Sequence, residues 1–132
     1  MKIIDKLALI EIQNRKILST RSKGKDTFYI PGGKRELGES DHQVLIREIK
    51  EELTVDIVPE TIEFIGVFEA QAHGHAEGIL VKMTCYEAQF EGHLRPASEI
   101  EAMEWLTMAD KFRISPVDKL IFDFLHEQDL ID

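Results

Sequence analysis

The chain has 132 residues, 43% of them hydrophobic and 31% charged, which fits one globular domain with a core and leaves little room for a second. It contains no run of about 18 apolar residues, which excludes a membrane-spanning helix, and its one cysteine, Cys85, excludes an internal disulfide. The formal net charge of −9 repels polyanions, so no nucleic-acid polymer is expected as a partner, whereas a small anionic ligand is compatible if local cations or a metal ion offset the repulsion.

The opening stretch carries Asp5 and Glu11 within its apolar run and has no small-residue cleavage site, so it does not read as a signal peptide. With a lone cysteine, a cytoplasmic setting is the expectation. Two apolar-rich runs, Ile4–Ile12 and Lys16–Thr20, flank Gln13-Asn14-Arg15 and read as a β-hairpin. A polar loop with a glycine breaker follows at residues 21–26. Residues 27–30, Thr-Phe-Tyr-Ile, are β-formers, and Pro31-Gly32-Gly33 reads as the end of that strand.

A helix is expected from about Asp41 to about Leu53. Ser40 suits the N-cap, Gln43 completes a capping box, and Asp41 suits the first turn. Residues 54–58 read as extended and stop at Pro59. Strands are expected at residues 62–70 and 79–90, around a His/Gly-rich loop, and a short one at 102–106. Ser115-Pro116 is a helix start, and Val117, Leu120, Ile121, Phe124 and Leu125 mark its apolar face. No repeat or linker interrupts the chain. The pattern predicts one α/β or α+β domain over residues 1–132.

On the first helix, Leu45, Ile46, Ile49 and Leu53 fall on one arc, which is expected to face the core. Glu48, Glu51 and Glu52 cluster on a neighbouring arc at spacings of three and four. Such a stripe is either a solvated face, with Arg47 and Lys50 relieving the repulsion, or a site for a hard divalent cation such as Mg²⁺. The preceding stretch favours the second reading. Gly32-Gly33 allows close approach of backbone to a ligand, Lys34 and Arg35 follow, and Glu39 stands where it can pair with Arg47.

The segment from Gly33 to Val55 resembles the Nudix box. Gly33 is followed after five residues by Glu39, and after seven more by Arg47-Glu48; Ile49, Lys50, Glu51-Glu52, Leu53, Thr54 and Val55 complete it. One position departs: Thr54 stands where the family has glycine. A β-branched residue suits a left-handed helix end poorly, so the chain is expected to leave the helix by a different path.

The resemblance implies an α/β/α sandwich around a mixed sheet and Mg²⁺-dependent hydrolysis, with Mn²⁺ as a substitute. The bond cut is a phosphoanhydride in a nucleoside diphosphate derivative. By the same resemblance Glu48, Glu51 and Glu52 are metal-binding and base carboxylates, with Glu51 and Glu52 the preferred direct ligands. A backbone carbonyl at Gly33 joins the metal shell, Glu39 and Arg47 brace the loop against the helix, and Arg47 orients a catalytic carboxylate. Lys34 and Arg35 are the cations tied by position to the substrate phosphates. A further metal carboxylate is expected from the segment before Trp105, with Glu99 first and Glu101 second. The short chain, without the extra N-terminal region of nucleotide-sugar members, favours a nucleoside triphosphate or oxidised nucleotide, giving a monophosphate and pyrophosphate. ADP-ribose and dinucleoside polyphosphates are alternatives, as is a non-catalytic nucleotide-binding regulator; no membrane partner is expected, and a homodimer is common among relatives.

Outside the box, His73 and His75 form a His-x-His pair without a further matching ligand and read as ordinary loop residues rather than transition-metal ligands, on a loop that is able to touch a substrate. Phe28 and Tyr29 read as buried strand aromatics or as a stacking surface for a base. Cys85 and Trp105 read as core.

Overall fold

The computed structural model describes residues 2–132; Met1, the first residue of the expected 1–132 domain, lies outside the described residues. In chain order the strands are β1 (Ile3–Leu9), β2 (Ile12–Gln13), β3 (Lys16–Ser22), β4 (Gly32–Lys34), β5 (Asp56–Ile57), β6 (Glu63–Gln71), β7 (Leu80–Glu87), β8 (Phe90–Glu91) and β9 (Ile100–Leu106). The helices are α1 (Asp41–Leu53) and α2 (Pro116–Glu127).

Side-chain alternation along β1 sets the layering. Leu7 and Leu9 join the core cluster of Val44, Leu45, Ile49 and Leu53 from α1. Ile4 and Ala8, on the other face, join Val117, Ile121, Phe122 and Leu125 from α2. The mixed sheet therefore lies between two helices, as an α/β/α sandwich. Its order is β4-β1-β7-β6, with β1 and β7 parallel and the other two pairs antiparallel. A second sheet, β2-β3-β9, is antiparallel, and β5 pairs with β8. Among the described residues no helix is long and apolar enough to cross a membrane.

Several elements differ from expectation. The hairpin is confined to β2 and β3, turning through Asn14 and Arg15 with φ of 52° and 63°. The first apolar run breaks after Leu9 because β1 is a central strand of the other sheet. Residues 27–30 form only isolated bridges, Thr20 with Tyr29 and Phe28 with Ile114. The strand instead starts at the glycines. Gly32, at φ +150°, lets β4 come against the Leu7 carbonyl, where any side chain would collide. The long run at 79–90 divides into β7 and β8, because its end pairs with β5.

α1 has the expected bounds and a complete capping box between Ser40 and Gln43. Its buried arc contains Val44, with Ile46 only partly covered, and it extends to Glu52, which is 8% exposed. Thr54 follows the left-handed exit after all, at φ 64° and ψ 17°, with its N–H donating to the Lys50 carbonyl. On α2, Leu120 faces outward, whereas Phe122 and the carboxylate of Asp118 are buried. Ser115 holds the N-cap position, but its side chain makes no capping bond.

Candidate active site

Gly32 and Gly33 bring β4 against the side of α1 that carries the carboxylates. The Gly32 N–H donates to Glu52 Oε1 at 3.1 Å. The Gly33 Cα lies against the Glu48 carboxyl group, which would overlap a methyl group placed there. The loop that follows is held by Arg47. Its Nε and Nη2 donate to the two oxygens of Glu39, both at 2.8 Å, a bidentate fork. Its Nη1 donates to Glu48 Oε1 at 2.7 Å, and Nη2 also reaches the Lys34 carbonyl at 3.2 Å. Hydrogen bonding from Arg47 holds the Glu39 carboxyl down at about 2.

The last carbonyls of α1 would be orphaned at a bare helix end. The segment before β9 satisfies them. Arg95 N–H donates to Leu53 O, Ala97 N–H to Glu52 O, and the Ser98 hydroxyl to Glu51 O. These bonds carry Glu99 to the cavity lined by Glu48, Glu52, Gly33 and Lys34, which has a volume of about 350 Å³. Burial pushes the Glu52 carboxyl up to about 8, with the Gly32 N–H opposing and the charges of Glu48 and Glu99 adding to the rise. Burial also raises Glu48, against the pull of Arg47.

Of the expected site residues, Glu48, Glu52, Glu99, Gly33 and Lys34 come together in this cavity. Glu51 does not: its side chain is 52% exposed and turns toward Arg47 at 3.6 Å, whereas that of Glu48 is 16% exposed. In this side-chain arrangement Glu48 rather than Glu51 lines the cavity, although the two stand three apart on the same side of α1 and both approach Arg47. Arg35 also leaves the cavity, its guanidinium bound by Asp5, Asp41 and the Glu39 carbonyl. Glu101 pairs with Arg21.

One cavity residue escaped the sequence reading. Lys6, from the middle of β1, lines the carboxylate cavity and also a second one of about 170 Å³. The walls of this second cavity include Tyr29, Gln71, His73, His75 and Ser115, and no carboxylate. His73 contacts the Thr27 hydroxyl at 3.3 Å and meets the Tyr29 ring edge-on. Gln71 staples the loop that bears both histidines, with its amide donating to the Ala76 carbonyl and accepting from the Gly78 N–H. Phe28 and Cys85 are buried, as expected, and Trp105 is partly covered against the α1 cluster.

Among the described residues no three His, Cys, Asp or Glu side chains already stand as a closed metal shell. The donor set nevertheless fits a hard cation with water in its remaining positions: two largely covered carboxylates that repel each other, a third on the facing loop, and backbone oxygens on β4.

The chain matches the NUDIX domain model over residues 6–125. It is 28% identical to an ADP-ribose pyrophosphatase of Methanocaldococcus jannaschii, covering 94% of this chain and 68% of that one. The solution structure of the Escherichia coli ORF135 protein is 26% identical, with a TM-score of 0.74, covering 100% of this chain and 96% of that one. The MutT protein of Methanosarcina mazei has the same fold at 14% identity and a TM-score of 0.75, covering 97% and 96%.

Proposed function

The chain belongs to the Nudix family of hydrolases, enzymes that act on nucleoside diphosphate derivatives, and from that premise we propose that it cleaves a nucleoside triphosphate or an oxidised nucleotide to a monophosphate and pyrophosphate, with Mg²⁺ as the cofactor and Mn²⁺ as a substitute. The observation that carries this reading is the polarity of the two joined cavities. Carboxylates line one end, the lysines Lys6 and Lys34 line the junction, and aromatic and amide groups without carboxylates line the other. A phosphate chain with one nucleoside at its end matches that order of chemistry.

Glu51, Glu52 and the Gly33 carbonyl would hold the metal, with Glu99 closing from the facing loop. Bound there, a divalent cation neutralises phosphate charge and acidifies a water. Glu48 would take the proton of the attacking water; the Arg47 hydrogen bond and the space at Gly33, which set its orientation, support that role. Lys34 offsets charge on the departing phosphate. Tyr29 and His73 provide flat surface for a base.

An ADP-ribose substrate is the second reading, supported by the activity that names the archaeal relative. The single small aromatic-walled end favours a substrate with one nucleoside. The test is incubation of the protein with Mg²⁺ and a panel including oxidised dGTP, ordinary triphosphates, ADP-ribose and diadenosine polyphosphates, with product identification and Glu52→Gln as control. Turnover that yields a monophosphate and pyrophosphate and vanishes in the variant supports the proposal. Absence of turnover with Mg²⁺ or Mn²⁺ sinks it in favour of a nucleotide-binding domain.

A further inference from the structure

Ile4, Lys6 and Ala8 alternate with Asp5 and Leu7 along β1 and so share one face of a central strand. Ile4 and Ala8 on that face are buried in the layer beneath α2. Lys6 places an ammonium group where the pattern calls for an apolar side chain, and desolvating a cation is costly unless it is paired. Its direct cross-strand partner on β4 is Lys34. Like charges directly opposite each other destabilise a strand pair. Among the described residues neither lysine makes an ion pair. The Lys6 ammonium lies 5.6 Å from the centre of the Tyr29 ring, and the charges of Asp118, Glu52 and Glu48 act on it without an ion pair. Two lysines without an ion-pair partner, facing each other at the meeting point of two cavities, make a site suited to an anion.

We propose that Lys6, acting with Lys34, grips the phosphate group attached to the nucleoside, on the nucleoside side of the scissile anhydride; this rests on the hydrolase reading above. Both lysines line both cavities, whereas the carboxylates line only one. An anion between them is therefore bounded by the metal-binding end on one side and the base-binding end on the other. Lys6 also packs on Tyr29, so the same residue couples the position of the phosphate to that of the base-facing ring. It is a substrate-binding residue of this chain that determines how far the phosphate chain can slide toward the carboxylates.

Isothermal titration of the metal-free protein in EDTA with dGMP, which carries the nucleoside-side phosphate alone, tests the site apart from the metal. Wild type is expected to bind, Lys6→Met to lose roughly tenfold or more in affinity, the scale of a lost charge-assisted hydrogen bond, and Lys6→Arg to stay close to wild type. A measurement that needs no variant accompanies it: acetic anhydride labelling of wild type, read by peptide mass spectrometry, in which dGMP is expected to protect Lys6 and Lys34 but not Lys119. Absence of binding by wild type, equal affinity in folded Lys6→Met, or labelling of Lys6 unchanged by dGMP would each overturn the proposal. Lys6-dependent binding without turnover of any panel nucleotide keeps the anion site and removes the hydrolase reading. Turnover whose KM and dGMP affinity ignore Lys6→Met does the reverse.

Discussion

Gly33 and Glu48 are separated by the whole of the loop and first turns of α1, yet the Cα of one rests against the carboxyl group of the other with no room for a methyl group between them. The glycine thus serves as the floor on which a proposed catalytic carboxylate lies. Gly33→Ala is expected to fold, because the clash is with the end of a side chain that can swing away. Glu48 would then leave both the cavity and the Arg47 Nη1 that it accepts from. A displacement of about 1 Å at a reacting group costs on the order of 100-fold in rate. The expected result is a loss of that size in kcat/KM with little change in Tm; full activity would show that Glu48 need not lie where it does.

Thr54 ends α1 in the left-handed conformation at φ 64°, and its hydroxyl donates to the His93 carbonyl at 3.3 Å. A β-branched residue in that region costs roughly 1–2 kcal/mol, which the long hydrogen bond only partly offsets. Thr54→Gly should therefore stabilise the protein by about 1 kcal/mol, raising Tm by a few degrees, without changing turnover. Chemical denaturation of the two proteins measures it. A destabilised glycine variant would mean that the His93 contact outweighs the strain.

The helix that carries the carboxylates was legible because its signals are local. Ser40, Gln43 and the apolar spacing specify the start, length and buried arc within one segment. What was not legible depends on distant partners. Glu51 and Glu52 are neighbours in one acidic stripe, and only the seating of α1 on Leu7 and Leu9 decides that Glu52 turns inward. Arg35 reads as a free cation until Asp5, thirty residues away, and Asp41 are brought to it. Lys6 reads as one charge in an apolar strand, and its meaning appears only when β4 sets Lys34 opposite it. Alternation along β1 was the available signal: a lysine on the same face as Ile4 and Ala8.

Glu52 connects the metal proposal to stability. At pH 8.5 most of its carboxylate is ionised within a largely desolvated site, beside the charges of Glu48 and Glu99. A bound divalent ion relieves that repulsion and binds only the folded chain. Addition of Mg²⁺ to the EDTA-stripped protein should raise Tm by several degrees, since a ligand at 100 times its Kd contributes about 2.7 kcal/mol. Glu52→Gln removes one ligand and much of the repulsion together, so the metal-free variant should be more stable than metal-free wild type and respond weakly to Mg²⁺. A variant that responds as strongly as wild type would place the metal elsewhere.

The metal-free protein should lose stability as the pH rises toward neutrality, and the cause lies in Asp118. Its carboxyl is fully buried on α2, with Oδ2 accepting the Ile30 N–H at 3.0 Å and Oδ1 without a partner. Burial pushes it up to about 7, against the pull of that hydrogen bond and of Lys6. The titratable groups that face it are Lys6 from β1, Tyr29 ahead of β4 and Cys85 from β7. An acid whose folded value lies above its unfolded value near 4 holds more protons when folded. Stability therefore falls as pH climbs from about 4 to about 7, by at most about 1.4 kcal/mol per pH unit, and then levels off for this group. Glu52 acts with the same sign up to about 8. Glu39, held at about 2, acts with the opposite sign, but its contribution is complete above about pH 5 and does not enter the window. Urea denaturation in EDTA at pH 5, 6, 7 and 8 should show the decline, and Asp118→Asn should remove its larger part between pH 5 and 7 while leaving the Glu52 share. Stability that holds level or rises across that window in wild type would mean that Asp118 is ionised in the folded protein, compensated by Lys6 more strongly than their separation implies.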